Sequence, residues 1–118
     1  MDCLFCKIVA GEIPAKKAYE DELAVAFADI HPQAPVHILI VPKKHIASLD
    51  HLDSHLGAAS DDKLVLGHLH AIAAEIARSN KLTSGYRTVI NTGPDAGQTV
   101  FHLHLHLLGG RSLAWPPG

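Results

Sequence analysis

The sequence lacks the features that mark membrane, secreted and nucleic-acid-binding proteins. No apolar stretch approaches the roughly 20 residues that a membrane-spanning helix needs, and the N-terminus lacks the charged-then-apolar layout of a signal peptide. Basic residues never cluster beyond the pairs Lys16-Lys17 and Lys43-Lys44, and the formal charge is −2. Two cysteines are too few for a disulfide framework. We therefore expect a cytoplasmic protein that binds neither nucleic acid nor membranes.

The 118 residues are 47% hydrophobic and 19% charged, which is typical of one globular domain spanning 1–118. One long amphipathic helix is the only long helix in the pattern; Ser60-Asp61-Asp62 offers N-capping oxygens at its start, and its apolar face includes Leu64 and Leu69. Parallel βαβ connections, which need a helix between successive strands, are therefore disfavoured. We predict an α+β fold with an antiparallel sheet of about five strands, one long helix and a short N-terminal helix. The predicted helices are 3–10 and 61–80, and the predicted strands are 18–20, 23–29, 36–41, 87–91 and 100–108.

Histidine is strongly over-represented, with ten residues in the chain, and three of them alternate with leucine in HLHLHLL at 102–108. In a strand this alternation places His102, His104 and His106 on one face and the leucines on the core face. Neighbouring imidazoles would stand about 6.5 Å apart at the backbone. The pattern fits a catalytic group, a three-histidine metal site, or an incidental polar face.

The loop NTGPDAGQT at 91–99 precedes the histidine strand and favours catalysis among these interpretations. Its two glycines allow the backbone to approach a ligand, and successive amides in such a turn can bind an anion. No Gly-Lys-Ser/Thr follows, so it is not a Walker loop. Alone, it would be an ordinary hairpin loop; beside three imidazoles, it indicates a phosphate site.

The segment GQTVFHLHLHLL at 97–108 resembles the signature of the histidine triad (HIT) family. Further segments look like the Hint branch of purine nucleoside phosphoramidases, so the resemblance covers nearly the whole chain and implies a HIT-like fold. Thr99 stands where Hint proteins commonly have serine, His31 also replaces a usual serine, and 50–62 has no match that we could make. The other matching segments are GEIPA at 11–15, FADI at 27–30, PQAPVH at 32–37, VPKKHI at 41–46 and GGR…WPPG at 109–118.

The resemblance implies that His104 attacks the α-phosphorus and forms a nucleotidyl-histidine that water then hydrolyses. His106 would hydrogen-bond a phosphoryl oxygen, and His37 would order the cluster. Thr99 and the backbone of Gly97 and Gln98 would bind the phosphate or leaving group, with His106 or Thr99 as the route for the proton that the leaving amine needs. No catalytic cofactor is implied.

The resemblance also implies a nucleotide pocket. Asp29 would bind the ribose, and Asn91 would contact the phosphate region. An apolar base pocket would include Phe5, Ile8, Phe27, Ile30 and Leu39. Without the resemblance, Asp29 would be a surface turn residue and each apolar residue would simply be core.

A second set of candidate ligands comprises Cys3, Cys6, His45 and His102. A Cys-x-x-Cys pair and two histidines can make a closed tetrahedral zinc site. Some bacterial HIT proteins look similar in this respect. The zinc would be structural and would leave His104 free to react. The alternative is that both cysteines are small buried residues.

Three functions fit these observations. The leading hypothesis is a hydrolase of the P–N bond in purine nucleoside 5′-phosphoramidates, including lysine-linked AMP and acyl-adenylates. The alternatives are a dinucleoside polyphosphate hydrolase and a non-catalytic nucleotide- or zinc-binding regulatory protein. The resemblance further implies a homodimer whose C-terminal tail, with Trp115, lies near the partner's active site.

Overall fold

The computed structural model describes residues 3–53, 56–57 and 60–118. Five strands form one antiparallel sheet in the order β1-β2-β3-β5-β4, which confirms the predicted α+β class. No helix among the described residues is long and apolar enough to cross a membrane. The elements are helices α1 (Leu4–Val9) and α2 (Asp61–Ser79) and strands β1 (Lys17–Glu20), β2 (Ala24–Ala28), β3 (Val36–Pro42), β4 (Tyr86–Val89) and β5 (Leu105–Gly109).

Helix α2 covers one face of the sheet. It begins after Ser60, whose hydroxyl accepts the backbone N–H of Lys63 at 3.2 Å and so caps the helix as the sequence suggested. Leu64 does not face the core as its place in the apolar pattern predicted, because it is 67% exposed while Val65 is buried. Val65 is four residues before Leu69, so the two share the inward face of the helix.

The sheet is buried on both faces at its centre. Leu103, Leu105 and Leu107 pack with α2 in one apolar cluster, which confirms that the leucines face this core. On the opposite face, α1 covers a second cluster that includes Val25 and Val41. Burial on both faces explains why AVAFA in β2 and VHILIVP in β3 are nearly continuous apolar runs.

Strand β5 begins at Leu105 and not at Val100 as predicted. The ladder with β3 ends at the pair Ile40 and Leu105. Two residues further, the same register would place Leu103 opposite Pro42, which has no N–H to donate. Leu103 instead donates its N–H to the carbonyl of Ile46 at 2.6 Å.

Asp21 ties the turn between β1 and β2 to helix α2. Its carboxylate accepts the backbone N–H groups of Leu23 at 2.8 Å and Ala24 at 2.9 Å and the hydroxyl of Tyr19 at 2.9 Å, and it pairs with His68 on α2. Burial by itself raises the pKa of Asp21, but the hydrogen bonds from His68 and the turn outweigh it and hold that pKa at about 2.

Asp21→Asn should lower the free energy of unfolding by about 1–2 kcal/mol at neutral pH. Because the folded-state pKa of Asp21 is depressed, its contribution is complete above the unfolded pKa near 4 and is lost as the pH falls toward 2. Urea unfolding should therefore show the difference from the parent shrinking on acidification. The neighbouring exposed Glu22→Gln is the control, and a difference that is the same in acid and at neutral pH would contradict the assignment.

Candidate active site and a neighbouring Cys-His cluster

Three histidines meet on the face of the sheet that α1 covers. His37 lies on β3, His106 lies on β5, and His104 is the residue just before β5. Since Leu39 pairs with His106, His37 is the diagonal neighbour of His106 on the same face. The ring centroids are 5.0 Å apart for His104 and His106, and 5.2 Å apart for His37 and His106. The three rings are therefore close enough to act on one substrate group.

His104 has one ring nitrogen held and the other available. Its Nδ1–H donates to the carbonyl oxygen of His102 at 2.7 Å, so the lone pair is on Nε2. The side chain is only 8% exposed, and the edge of Phe5 packs at 5.0 Å between ring centroids. Burial lowers the pKa of His104, against the opposing effects of the His102 carbonyl and Asp29. The ring is therefore neutral at pH 7, which is the form a nucleophile requires.

A hydrogen-bond chain determines where the protons of His37 and His106 lie. The backbone N–H of Gln33 donates to Nδ1 of His37 at 3.0 Å, so a neutral His37 carries its proton on Nε2. This Nε2 is 2.9 Å from Nδ1 of His106 and donates to it, which leaves the His106 proton on Nε2.

Nε2 of His106 is buried and has no hydrogen-bond partner in the described part of the chain. Burial, together with repulsion from His104 and His37, lowers the pKa of His106 to about 4. The neutral ring therefore presents an N–H donor with no protein acceptor. A buried donor without a partner is costly, and a bound phosphoryl oxygen would satisfy it.

Asp29, His37 and His106 also have the composition of a metal site, with donor atoms within 4.8 Å of one another. The tautomer of His37 argues against this use. Because the Gln33 N–H occupies Nδ1 of His37, Nε2 holds a proton and not a lone pair. Oδ2 of Asp29 is 3.4 Å from that Nε2, while Oδ1 accepts the N–H of His31 at 2.8 Å. We interpret the group as a hydrogen-bond chain that fixes the tautomers of His37 and His106.

The loop at 91–99 is braced from within. Gly93 and Gly97 both have positive φ, 84° and 93°, which explains the two glycines. The buried Gln98 side chain accepts the Gly93 N–H at 2.9 Å and donates to the carbonyls of Ala47 at 2.8 Å and Val100 at 3.2 Å.

The use of the Gly97 and Gln98 amides for phosphate stays a prediction, and both amides have partners within the loop. They already donate to the carbonyls of Pro94 at 3.0 Å and Gly93 at 3.1 Å. Thr99 next to them is exposed. Its hydroxyl remains the predicted polar contact of this loop.

Most of the residues expected in the base pocket belong to the core under α1. Phe5, Ile8, Phe27 and Leu39 are each 4–6% exposed, and Phe5 packs on Phe27 with ring centroids 5.5 Å apart. This is the alternative that the sequence left open for them. Ile30 is 86% exposed and next to Asp29, and Asn91 is half-buried. The contacts of all six residues with a nucleotide stay predictions.

The structure brings the four expected metal ligands together. Nδ1 of His102 is 3.4 Å from Cys3 Sγ, 3.5 Å from Cys6 Sγ and 3.2 Å from His45 Nδ1, and Cys6 Sγ is 3.2 Å from His45 Nδ1. His102 Nε2–H donates to the Pro42 carbonyl at 2.7 Å, which directs the Nδ1 lone pair into the cluster. Zinc bonds of about 2.3 Å to sulfur and 2.0 Å to nitrogen separate tetrahedral ligand atoms by about 3.3–3.8 Å. The donor set fits zinc.

Comparison with known proteins identifies the family. The HIT domain model matches residues 10–113 of this chain. The chain belongs to the HIT family. An uncharacterized HIT-like protein of Synechococcus elongatus is 58% identical over 117 residues, which are 99% of this chain and 97% of that protein. Two solved HIT proteins share the fold.

The first is a HIT family hydrolase from Legionella pneumophila, with a TM-score of 0.91, 48% identity, and coverage of 99% of this chain and 100% of that one. The second is a histidine triad nucleotide-binding protein from Candida albicans, with a TM-score of 0.79 and 32% identity; 98% of this chain and 83% of that one are covered.

Two residues that shape the HIT site were not found from the sequence. Gln33 acts through its backbone N–H, and Arg111 binds the backbone carbonyl of Gln33. Because each contact uses a backbone group of Gln33, no pattern of residue types in the sequence indicates it.

The homodimer stays a prediction. Trp115, assigned to the partner's site, is 81% exposed, and Arg87 anchors the tail by donating to the Ala114 carbonyl at 2.9 Å.

Gln98→Ala should lower the free energy of unfolding by about 2–3 kcal/mol, because it removes hydrogen bonds inside a buried loop and leaves their partners unsatisfied. Urea denaturation measures this. Gln33→Ala is a matched control, since that exposed side chain makes one hydrogen bond, to the His31 carbonyl at 3.1 Å. Equal effects of the two substitutions would show that Gln98 does not brace the loop.

Proposed function

We propose that this HIT protein is a hydrolase that cleaves the P–N bond of purine nucleoside 5′-phosphoramidates. The observation that carries the proposal is that two neighbouring imidazoles on one face offer Nε2 atoms in opposite protonation states. His104 offers a lone pair on Nε2, and His106 offers an unpartnered N–H on Nε2. The names of the Legionella and Candida relatives, a hydrolase and a nucleotide-binding protein, support the same class.

The reaction follows from these two nitrogens. Nε2 of His104 attacks phosphorus while Nδ1–H stays bonded to the His102 carbonyl, so the nucleotidyl-imidazole carries positive charge and is a good leaving group. The His106 N–H stabilises negative charge on a phosphoryl oxygen. The P–N bond breaks with its electron pair on nitrogen, which takes a proton through Thr99 or His106 that solvent replaces. Water then attacks phosphorus, breaks the P–Nε2 bond and releases the nucleotide.

The same two nitrogens would also serve a dinucleoside polyphosphate hydrolase, whose leaving group is a phosphate oxygen. That leaving group departs without the proton that an amine needs, so the two reactions differ mainly in their demand on acid catalysis. A regulatory protein that only binds nucleotide would not need a lone pair of His104 aimed at phosphorus. Comparison of two substrates separates these alternatives.

His104→Ala should lower kcat/KM for adenosine 5′-phosphoramidate by at least about 10³-fold, because it removes the nucleophile, while AMP binding persists. His70→Ala, an exposed histidine on α2, is the control and should retain parent activity. Diadenosine tetraphosphate is assayed in parallel. Preference of the parent for that substrate would favour the dinucleoside hydrolase, and no turnover of either substrate would leave a binding protein.

We also propose that Cys3, Cys6, His45 and His102 hold a structural zinc ion. When bound, zinc would cross-link α1 to the segment after β3 and to the start of the histidine run, and contribute to folding. The chain's own residues prepare the site, since the Pro42 carbonyl orients His102.

Protein purified under reducing conditions should contain about one zinc per chain by elemental analysis. Cys6→Ser should lose the metal and unfold at a lower temperature, while His70→Ala should keep both properties. Zinc retained by Cys6→Ser at the parent stoichiometry, or a parent that takes up no zinc from micromolar solution, would contradict the assignment.

A further inference from the structure

Gln33 is held on both sides by contacts that connect the active site to the segment after β5. Its backbone N–H donates to Nδ1 of His37 at 3.0 Å, and its carbonyl accepts Nε–H of Arg111 at 3.0 Å. Gly110 makes this approach feasible: its φ is 91°, and a Cβ there would lie 2.9 Å from the side chain of Pro35. The turn after β5 therefore closes directly on the loop that precedes β3.

We propose that Arg111 is a positioning residue that, by holding Gln33, fixes the proton of His37 and thereby keeps Nε2 of His106 a hydrogen-bond donor. The inference rests on the proposed function only for its kinetic consequence. Its structural part concerns the free protein and can be tested without a substrate.

The consequence of losing this contact follows from proton counting. A neutral imidazole has one N–H, and the two imidazoles share one hydrogen bond between Nε2 of His37 and Nδ1 of His106. If the Gln33 N–H turns away, His37 can carry its proton on Nδ1 and present a lone pair on Nε2. His106 then donates from Nδ1, and its Nε2 faces the site as an acceptor. A phosphoryl oxygen would meet a lone pair where it needs a donor.

Asp29 opposes this reversal without preventing it. Its Oδ2 lies 3.4 Å from Nε2 of His37 and favours a proton there. Arg111 is itself exposed, and it also donates to the Ser112 carbonyl at 2.9 Å. A hydrogen bond of this kind contributes modestly, so we expect its loss to shift the proton populations by about 3- to 10-fold and not to abolish the parent state.

The test uses isotope-labelled full-length protein and Arg111→Met, with Arg87→Met as a matched control. Arg87 is a half-buried arginine that also donates to a backbone carbonyl, that of Ala114, but it makes no hydrogen bond to the loop at Gln33. We expect Arg111→Met to speed amide exchange at Gln33 by about 3- to 10-fold. The ring ¹⁵N shifts of His37 and His106 should move toward the reversed tautomers, while Arg87→Met matches the parent.

Unchanged ring ¹⁵N shifts in a folded Arg111→Met, or equal changes in Arg87→Met, would overturn the proposal. The kinetic arm compares phosphoramidates whose amines differ in basicity, and Arg111→Met should lose most kcat/KM where the amine leaves poorly. If the parent hydrolyses none of them while the ring shifts respond, the proposed function fails and the positioning role stands. If the parent is active and the ring shifts do not respond, the positioning role fails.

Discussion

Hydrogen bonds from backbone groups to single ring nitrogens are the constraint on which the rest of the site depends. The carbonyl of His102 takes the Nδ1 proton of His104, the carbonyl of Pro42 takes the Nε2 proton of His102, and the N–H of Gln33 occupies Nδ1 of His37. Each contact decides which nitrogen keeps a lone pair. Similar imidazoles thus obtain different chemical roles, because the backbone around each of them differs.

The same constraint separates the candidate active site from the metal-binding cluster. His102 and His104 are two residues apart, yet Nδ1 of His102 meets the thiol of Cys3, whereas Nδ1 of His104 donates to a backbone carbonyl and its lone pair is on Nε2. Phe5 packs against both rings, at 6.0 Å and 5.0 Å between centroids. Helix α1 has six residues and is too short to be stable alone, so its position depends on this packing and on its cysteines.

Much of the HIT fold could be predicted from the sequence because its signals are local. The alternation of leucine and histidine placed Leu103, Leu105 and Leu107 in the core, and Ser60 marked the start of α2. Other features required long-range contacts. Two such features are the burial of Val65 in place of Leu64 and the start of β5 at Leu105. Each depends on the residues that pack or pair against it from another element. In the second case, that residue is Pro42 on a strand distant in sequence.

The sequence by itself determined which residue types are available: the alternating histidines, the Cys-x-x-Cys pair and two glycines whose positive φ the loop requires. Those properties reside in single residues and their near neighbours. Only the tertiary structure decided the protonated nitrogen of each imidazole and the internal use of the Gly97 and Gln98 amides. It also decided that the side chain of Arg111 donates to the backbone carbonyl of Gln33. Backbone N–H and C=O groups are the same at nearly every position, so only the folded chain shows which of them meets which side chain.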